Sequence, residues 1–196
     1  MIITISRQHG SNGHLIARAL AEETGFPCYD KEIVDRAAED SSFSKEVLDS
    51  FDEKRVSPYI APSPHLFGLS ESFRLNMHVA AAQFDAIRKL AQAGDGIFVG
   101  RCADYVLRER ADLLRVFILA DPEFRIHTMM ERRDLSEEQA RKLIRQVDKD
   151  RASYYRYYTE QDWGRPEFFD LCINSGKVGI TGAVRAIRAC VQAMQS

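Results

Sequence analysis

Gly10, Ser11, Asn12 and Gly13 lie between a β-branched run, Ile2, Ile3 and Ile5, and a helical pattern of Leu15, Ile16, Ala19 and Leu20. Glycines at such a junction permit positive φ and close backbone approach. The start of the helix presents unpaired N–H groups and the positive end of its dipole, which together attract anions. The phosphate-loop motif G-x-x-x-x-G-K-S/T adds a lysine for the β- and γ-phosphates and a hydroxyl for Mg²⁺. With Gly13 set on the second glycine of that motif, this chain has Gln8 at the first glycine, His14 at the lysine and Leu15 at the hydroxyl position. The stretch Gln8, His9, Gly10, Ser11, Asn12, Gly13, His14 therefore reads either as a phosphate cradle or as an ordinary strand-to-helix turn with two glycines.

Three further groups bear charge where a ligand could meet it. Asp30 precedes a helical stretch over 31–39 that carries Lys31 and Arg36, residues that suit a solvated helix surface equally well. Gly100-Arg101-Cys102-Ala103-Asp104 follows a predicted strand over 97–99, the edge at which open parallel sheets bind ligands; a structural ion pair between Arg101 and Asp104 is the alternative. Between Arg132 and Arg156 lie eight Lys or Arg residues. At about 100° per residue, Arg141, Arg145, Lys149 and Arg156 fall within an arc of roughly 80°. Like charges four apart repel, which favours an anionic visitor to that face. Glu137 to Arg141 and Glu138 to Lys142 have the spacing of a salt-bridged, solvated helix, the plainer reading of the same stripe.

The elements needed to hold these groups are legible. Strands are expected over 2–5, 26–29, 97–99, 116–119 and 170–174, and helices from about residue 15, over 31–39, 44–51, 70–93 and 105–110, after Asp121-Pro122, after the capping box Ser136-x-x-Gln139, and over 181–194. Pro58, Pro62 and Pro64 predict a long exposed loop. Strands alternating with helices predict a three-layer α/β/α fold around a parallel five-stranded sheet. The chain reads as a single domain over 1–196.

Composition narrows the partners. A net charge of −2 gives no global footprint for nucleic acid or an anionic membrane. Cys28, Cys102, Cys172 and Cys190 are scattered and form no C-x-x-C pair, which argues against zinc and for small apolar residues in a reducing cytoplasm. No apolar run reaches the length of a membrane-spanning helix, and no charged leader precedes an apolar core, so a cytoplasmic protein is expected. The proline-rich loop and the 70–93 helix are candidates for a homodimer contact.

ISRQHGSNGHLIARALAEETGFPCYDKEIV, IFVGRCADYVL, VFILADPEFRIHTMMERR and the basic stretch to KDRASYYRYY together resemble the cytidylate-kinase-like family of P-loop nucleoside monophosphate kinases, over nearly the whole chain. The resemblance implies ATP-dependent phosphoryl transfer to a nucleoside monophosphate, with ATP and Mg²⁺ as cofactors and nucleotides as the small-molecule partners. It implies that Gln8 to His14 cradles the phosphates of ATP and that Asp30, Lys31, Arg36 and Arg101 face the acceptor, with an acceptor-binding insertion at about 31–75. Cys102 stands where the family has the aspartate of G-R-D, so Asp104 replaces it only if the local helix turns it back. The stretch 149–156 resembles a mobile lid, spanning about 133–160, whose Arg145, Lys149, Arg151 and Arg156 fold over the transferring phosphate. Ser11 or Ser6 is a candidate for Mg²⁺, whose ligands the sequence leaves open. Two other readings stay open: a nucleotide- or phosphate-binding protein that has lost transfer, and a kinase for another small acceptor.

Overall fold

The structure, a computed structural model, describes residues 1–41, 43 and 71–195. The expected helix over 44–51, the proline-rich loop and most of the acceptor-binding insertion lie outside the described residues. Five strands, β1 (Ile2–Arg7), β2 (Cys28–Tyr29), β3 (Gly96–Val99), β4 (Leu113–Leu119) and β5 (Leu171–Asn174), form one sheet in the order β2-β3-β1-β4-β5. All four pairings are parallel.

Side-chain alternation along the strands explains the two outer layers. Ile3, Ile5, Ile97 and Val99 point to one face, where they pack on α1 (Gly13–Thr24) and α7 (Ser175–Gln195) through Ile16, Leu20, Val184 and Ile187. Ile2, Phe98 and Leu113 point to the other, against α2 (Lys31–Asp40), α3 (Glu71–Gln92) and the short α4 (Ala103–Val106). The central strands are buried on both faces, so they read as continuous apolar runs.

Two helices stand apart from the layers. α5 (Pro122–Arg133) and α6 (Glu137–Thr159) share a separate apolar cluster of Ile126, Met129, Ala140 and Ile144. The capping box forms as expected, with Ser136 Oγ accepting from Gln139 N–H and Gln139 Oε1 accepting from Ser136 N–H. The far end of α6 docks through Tyr154 and Tyr155, packed with Cys102, Tyr158 and Trp163.

Several boundaries shift for identifiable reasons. β2 is two residues long and starts after Pro27, which has no N–H to give the ladder. The helix expected over 105–110 is instead Ala103–Val106, because Gly100, Arg101 and Cys102 all adopt positive φ and close a turn in which Ala103 N–H donates to Gly100 O. α7 begins at Ser175, six residues earlier than expected, with Gly179 as a kink. Cys172 is exposed, whereas Cys102 is buried. No helix among the described residues is long and apolar enough to cross a membrane.

Asp104 turns inward rather than toward the ligand edge. It is 3% exposed, and its Oδ2 accepts the Tyr155 hydroxyl at 2.6 Å. Burial pushes its carboxyl up to about 6, against the lowering effect of the Tyr155 hydrogen bond. The folded protein therefore holds this proton more tightly than the unfolded chain. The stability from that tighter hold is full below the unfolded value near 3.8 and is lost as pH rises through about 6. Asp104→Asn keeps an acceptor for Tyr155 and cannot ionise. It should gain on the wild type by up to about 3 kcal/mol between pH 4 and pH 8 in chemical denaturation. A pH-independent difference would refute the assignment.

Candidate active site

The loop between β1 and α1 is shaped by internal bonds. Gln8 N–H and the Ser11 hydroxyl both donate to Ile118 O, and the same hydroxyl reaches Gln8 O at 2.8 Å. Ser11 is fully buried, and Ser175 Oγ donates to its carbonyl at 2.6 Å, so this hydroxyl is committed to the backbone rather than to a metal. Gly10 has φ +81°, and a Cβ there would fall 2.8 Å from Arg125 O. Asn12 is also left-handed, φ 62°, and hands the chain to α1.

A cleft of about 890 Å³ opens beside this loop, between it and the α5–α6 pair. Gln8, His9, Gly10, Asn12, Gly13 and His14 form one wall. Lys31 and Asp30 border it at the sheet end, and Arg132, Arg133, Arg151 and Asp150 face them from α5 and α6. A small crevice continues behind the loop, lined by Arg7, Arg101, Arg151, Tyr154, Tyr155 and Trp163 among others.

Asp30 joins two of the expected site residues. Its Oδ2 lies 2.8 Å from His14 Nδ1 and its Oδ1 accepts Arg101 Nη1 at 3.1 Å. Arg101 is 2% exposed and also donates to Val99 O. Asp30 makes no side-chain cap on α2, because both its oxygens are used in this bridge; Glu32 takes the Asp30 N–H instead. The carboxylate of Asp121 likewise makes no cap on α5 and meets Asn174 Nδ2 and Lys177 Nζ.

Asp148 ties α6 to the loop. Its Oδ1 accepts His9 N–H at 2.8 Å and its Oδ2 accepts Arg125 Nη1 at 2.5 Å. The His9 imidazole is lowered to about 4 by burial and by the positive charge of Arg151, so it is neutral at physiological pH. Arg151 itself donates to Arg7 O at 3.0 Å.

Of the expected residues, the structure brings Gln8, His9, Gly10, Asn12, Gly13, His14, Asp30, Lys31 and Arg151 to the large cleft, with Arg101 at its back. It does not bring Arg36, which pairs with Asp40 and Glu39 on the surface of α2. Nor do Arg145, Lys149, Arg156 and Asp104 line either cavity. Arg156 pairs with Asp162, and Arg141, the first residue of the basic stripe, pairs with Glu137 and Glu123. That face of α6 is the solvated one. The groups missed by sequence reasoning are Arg7, Arg125, Asp148 and Trp163.

These features define the α/β/α fold of the P-loop kinases, with the loop of residues 8–14 at its first strand-to-helix turn. The cytidylate kinase-like family matches residues 2–177, and the chain belongs to it. A relative from Methanothrix thermoacetophila named cytidylate kinase is 27% identical over 196 residues, the whole of both chains. The crystal structure of an uncharacterized protein from Eubacterium ventriosum is 30% identical with a TM-score of 0.76, covering 98% of each chain. Shikimate kinase from Bacteroides thetaiotaomicron shares the fold at 13% identity, TM-score 0.56, again over 98% of each chain.

Asp148 and Arg125 are 19% and 12% exposed, so removing one charge strands the other in a largely desolvated place. Asp148→Asn should cost about 2 kcal/mol in denaturant unfolding. It should also speed amide exchange in α6 and at His9. Unchanged exchange there would mean that the pair does not anchor the helix.

Proposed function

We propose that this protein transfers the γ-phosphoryl group of ATP to a nucleoside monophosphate of the cytidylate type, using a phosphate loop without its lysine. The observation that carries this reading is the cleft of about 890 Å³, in which the loop faces Lys31, Arg132, Arg133 and Arg151. Opposed cations across a glycine loop suit a polyphosphate, whose charge neither wall could neutralise alone. The family membership and the Methanothrix relative support the same class of reaction.

The residues present fit the phosphates of ATP: left-handed backbone at Gly10 and Asn12 leaves the loop open to close approach, and the cations lie across from it. Mg²⁺ fits less well. Leu15 stands at the hydroxyl position, Ser11 is bonded to carbonyls, and Asp30 is engaged by His14 and Arg101. Among the described residues, Asp150 is the other carboxylate that borders the cleft. When bound, ATP supplies the phosphoryl group.

The protein's part is positioning and charge neutralisation, since phosphoryl transfer needs little covalent help from side chains. Arg151, Arg132 and Arg133 would face charge building on the transferred group, and Lys31 with Arg101 would face the acceptor. A second reading, nucleotide binding without transfer, is favoured by the engagement of His14 with Asp30 and by Leu15. A kinase for another small acceptor is a third.

Thermal stability against nucleoside mono-, di- and triphosphates, with and without Mg²⁺, tests the binding half. A ligand at a hundredfold excess over its dissociation constant should add about 2.7 kcal/mol. Formation of nucleoside diphosphate from ATP and the stabilising monophosphate tests the rest, and His14→Lys should raise that rate by about 100-fold if the loop is merely impaired. Stabilisation without turnover in either form would select binding alone. No stabilisation by any nucleotide would end the kinase reading.

A further inference from the structure

Residue 14, where the motif has lysine, is held by Asp30, and its ring is 46% exposed. A different cation approaches the loop from the strand side. Arg7 ends β1, and its stem crosses Gly13 so closely that a Cβ on that glycine would fall 2.5 Å from Arg7 Cβ and 2.9 Å from its Cγ. Only glycine leaves room for this stem, so residues 7 and 13 are matched to each other.

Among the described residues, Arg7 and Arg151 are the two that border both the large cleft and the crevice containing Arg101. Arg151 donates to the Arg7 carbonyl, which keeps the two neighbours. Both positive charges act on the His9 imidazole, and His9 borders the large cleft. The pair therefore stands between the cleft beside the loop and the small crevice at Arg101.

We infer that Arg7 is a phosphate-contacting residue that, with Arg151, supplies from the end of β1 the positive charge the motif's lysine supplies from the first turn of α1. The ligand is a polyphosphate chain lying along the loop. A guanidinium offers planar, paired donors where an ammonium offers a point charge, so one arginine can grip two oxygens at once. The inference rests on the phosphoryl-transfer reading for the identity of the natural ligand. The grip on polyphosphate is separable from transfer.

Calorimetric titration with inorganic tripolyphosphate and with ATP tests it on the wild type, Arg7→Met, Arg7→Lys and Arg188→Gln. Methionine keeps an unbranched stem across Gly13 and removes the charge, and Arg188, paired with Glu23, controls for loss of a surface cation. Arg7→Met should bind both probes about tenfold more weakly or worse, Arg7→Lys should fall between, and Arg188→Gln should match the wild type. Thermal unfolding of Arg7→Met near the wild-type temperature would show that the loss is not misfolding. If Arg7→Met unfolds early, the intermediate affinity of Arg7→Lys carries the test. Binding by Arg7→Met within about twofold of the wild type would overturn the inference, as would a wild type that binds neither probe. Weakened binding in a protein that shows no transfer would leave Arg7 assigned and remove only the kinase reading.

Discussion

A hydroxyl with no access to solvent fixes the site. Ser11 bonds Gln8 O and Ile118 O through its side chain and takes the Ser175 hydroxyl on its carbonyl, so the loop is fastened to β4 and α7 before any ligand arrives. Buried polar groups that lose their partners cost about 1–3 kcal/mol each, so the loop's path is strongly determined. From it follow the left-handed turns at Gly10 and Asn12, the start of α1, and the narrow gap that the Arg7 stem fills. The loop thus owes its shape to the protein interior, which frees its outer surface for a ligand.

The electrostatic design compensates locally rather than globally. A chain of net charge −2 gathers Arg132, Arg133, Arg151 and Lys31 around one cleft, while beside it Asp30 pairs with Arg101 and Asp148 with Arg125. Arg101 is the extreme case. It is almost wholly buried at positive φ, followed by Cys102 in the same conformation, and non-glycine residues there cost of order 1 kcal/mol each. The turn is what points its guanidinium back at Asp30 and the end of β3.

The layers were legible because strands buried on both faces and amphipathic helices leave plain periodicities, as in Ile2 to Ile5 and Val184 to Ile187. Of the candidate site, the turns are legible where backbone chemistry dictates residue type, at Gly10, Gly13 and Gly100. On α6 the face that borders the cleft is not the face of the basic stripe. A stripe of Arg141, Arg145 and Lys149 drew attention by its charge, yet a charged stripe on a polar face is ordinary solvated surface. Taking Arg141 as zero, Ile144, Val147, Asp148, Arg151, Tyr154 and Tyr155 fall at roughly 220° to 340°, the inward face. Ions on an apolar face are the rarer signal, and Asp148 and Arg151 carry it. Asp104 was misplaced for a longer-range reason: its partner Tyr155 lies 51 residues away, and no local pattern links them.

Trp163 lines the crevice with Arg101 and Arg151 and packs edge-on to Phe117, with ring centroids 5.4 Å apart. It is the single tryptophan of the chain. Indole emission from this protein therefore originates at one point, beside the guanidinium groups of the crevice. The molecule carries its own optical reporter: a ligand or a displacement of α6 that alters the polarity around that ring shifts the fluorescence of the whole sample, with no label attached.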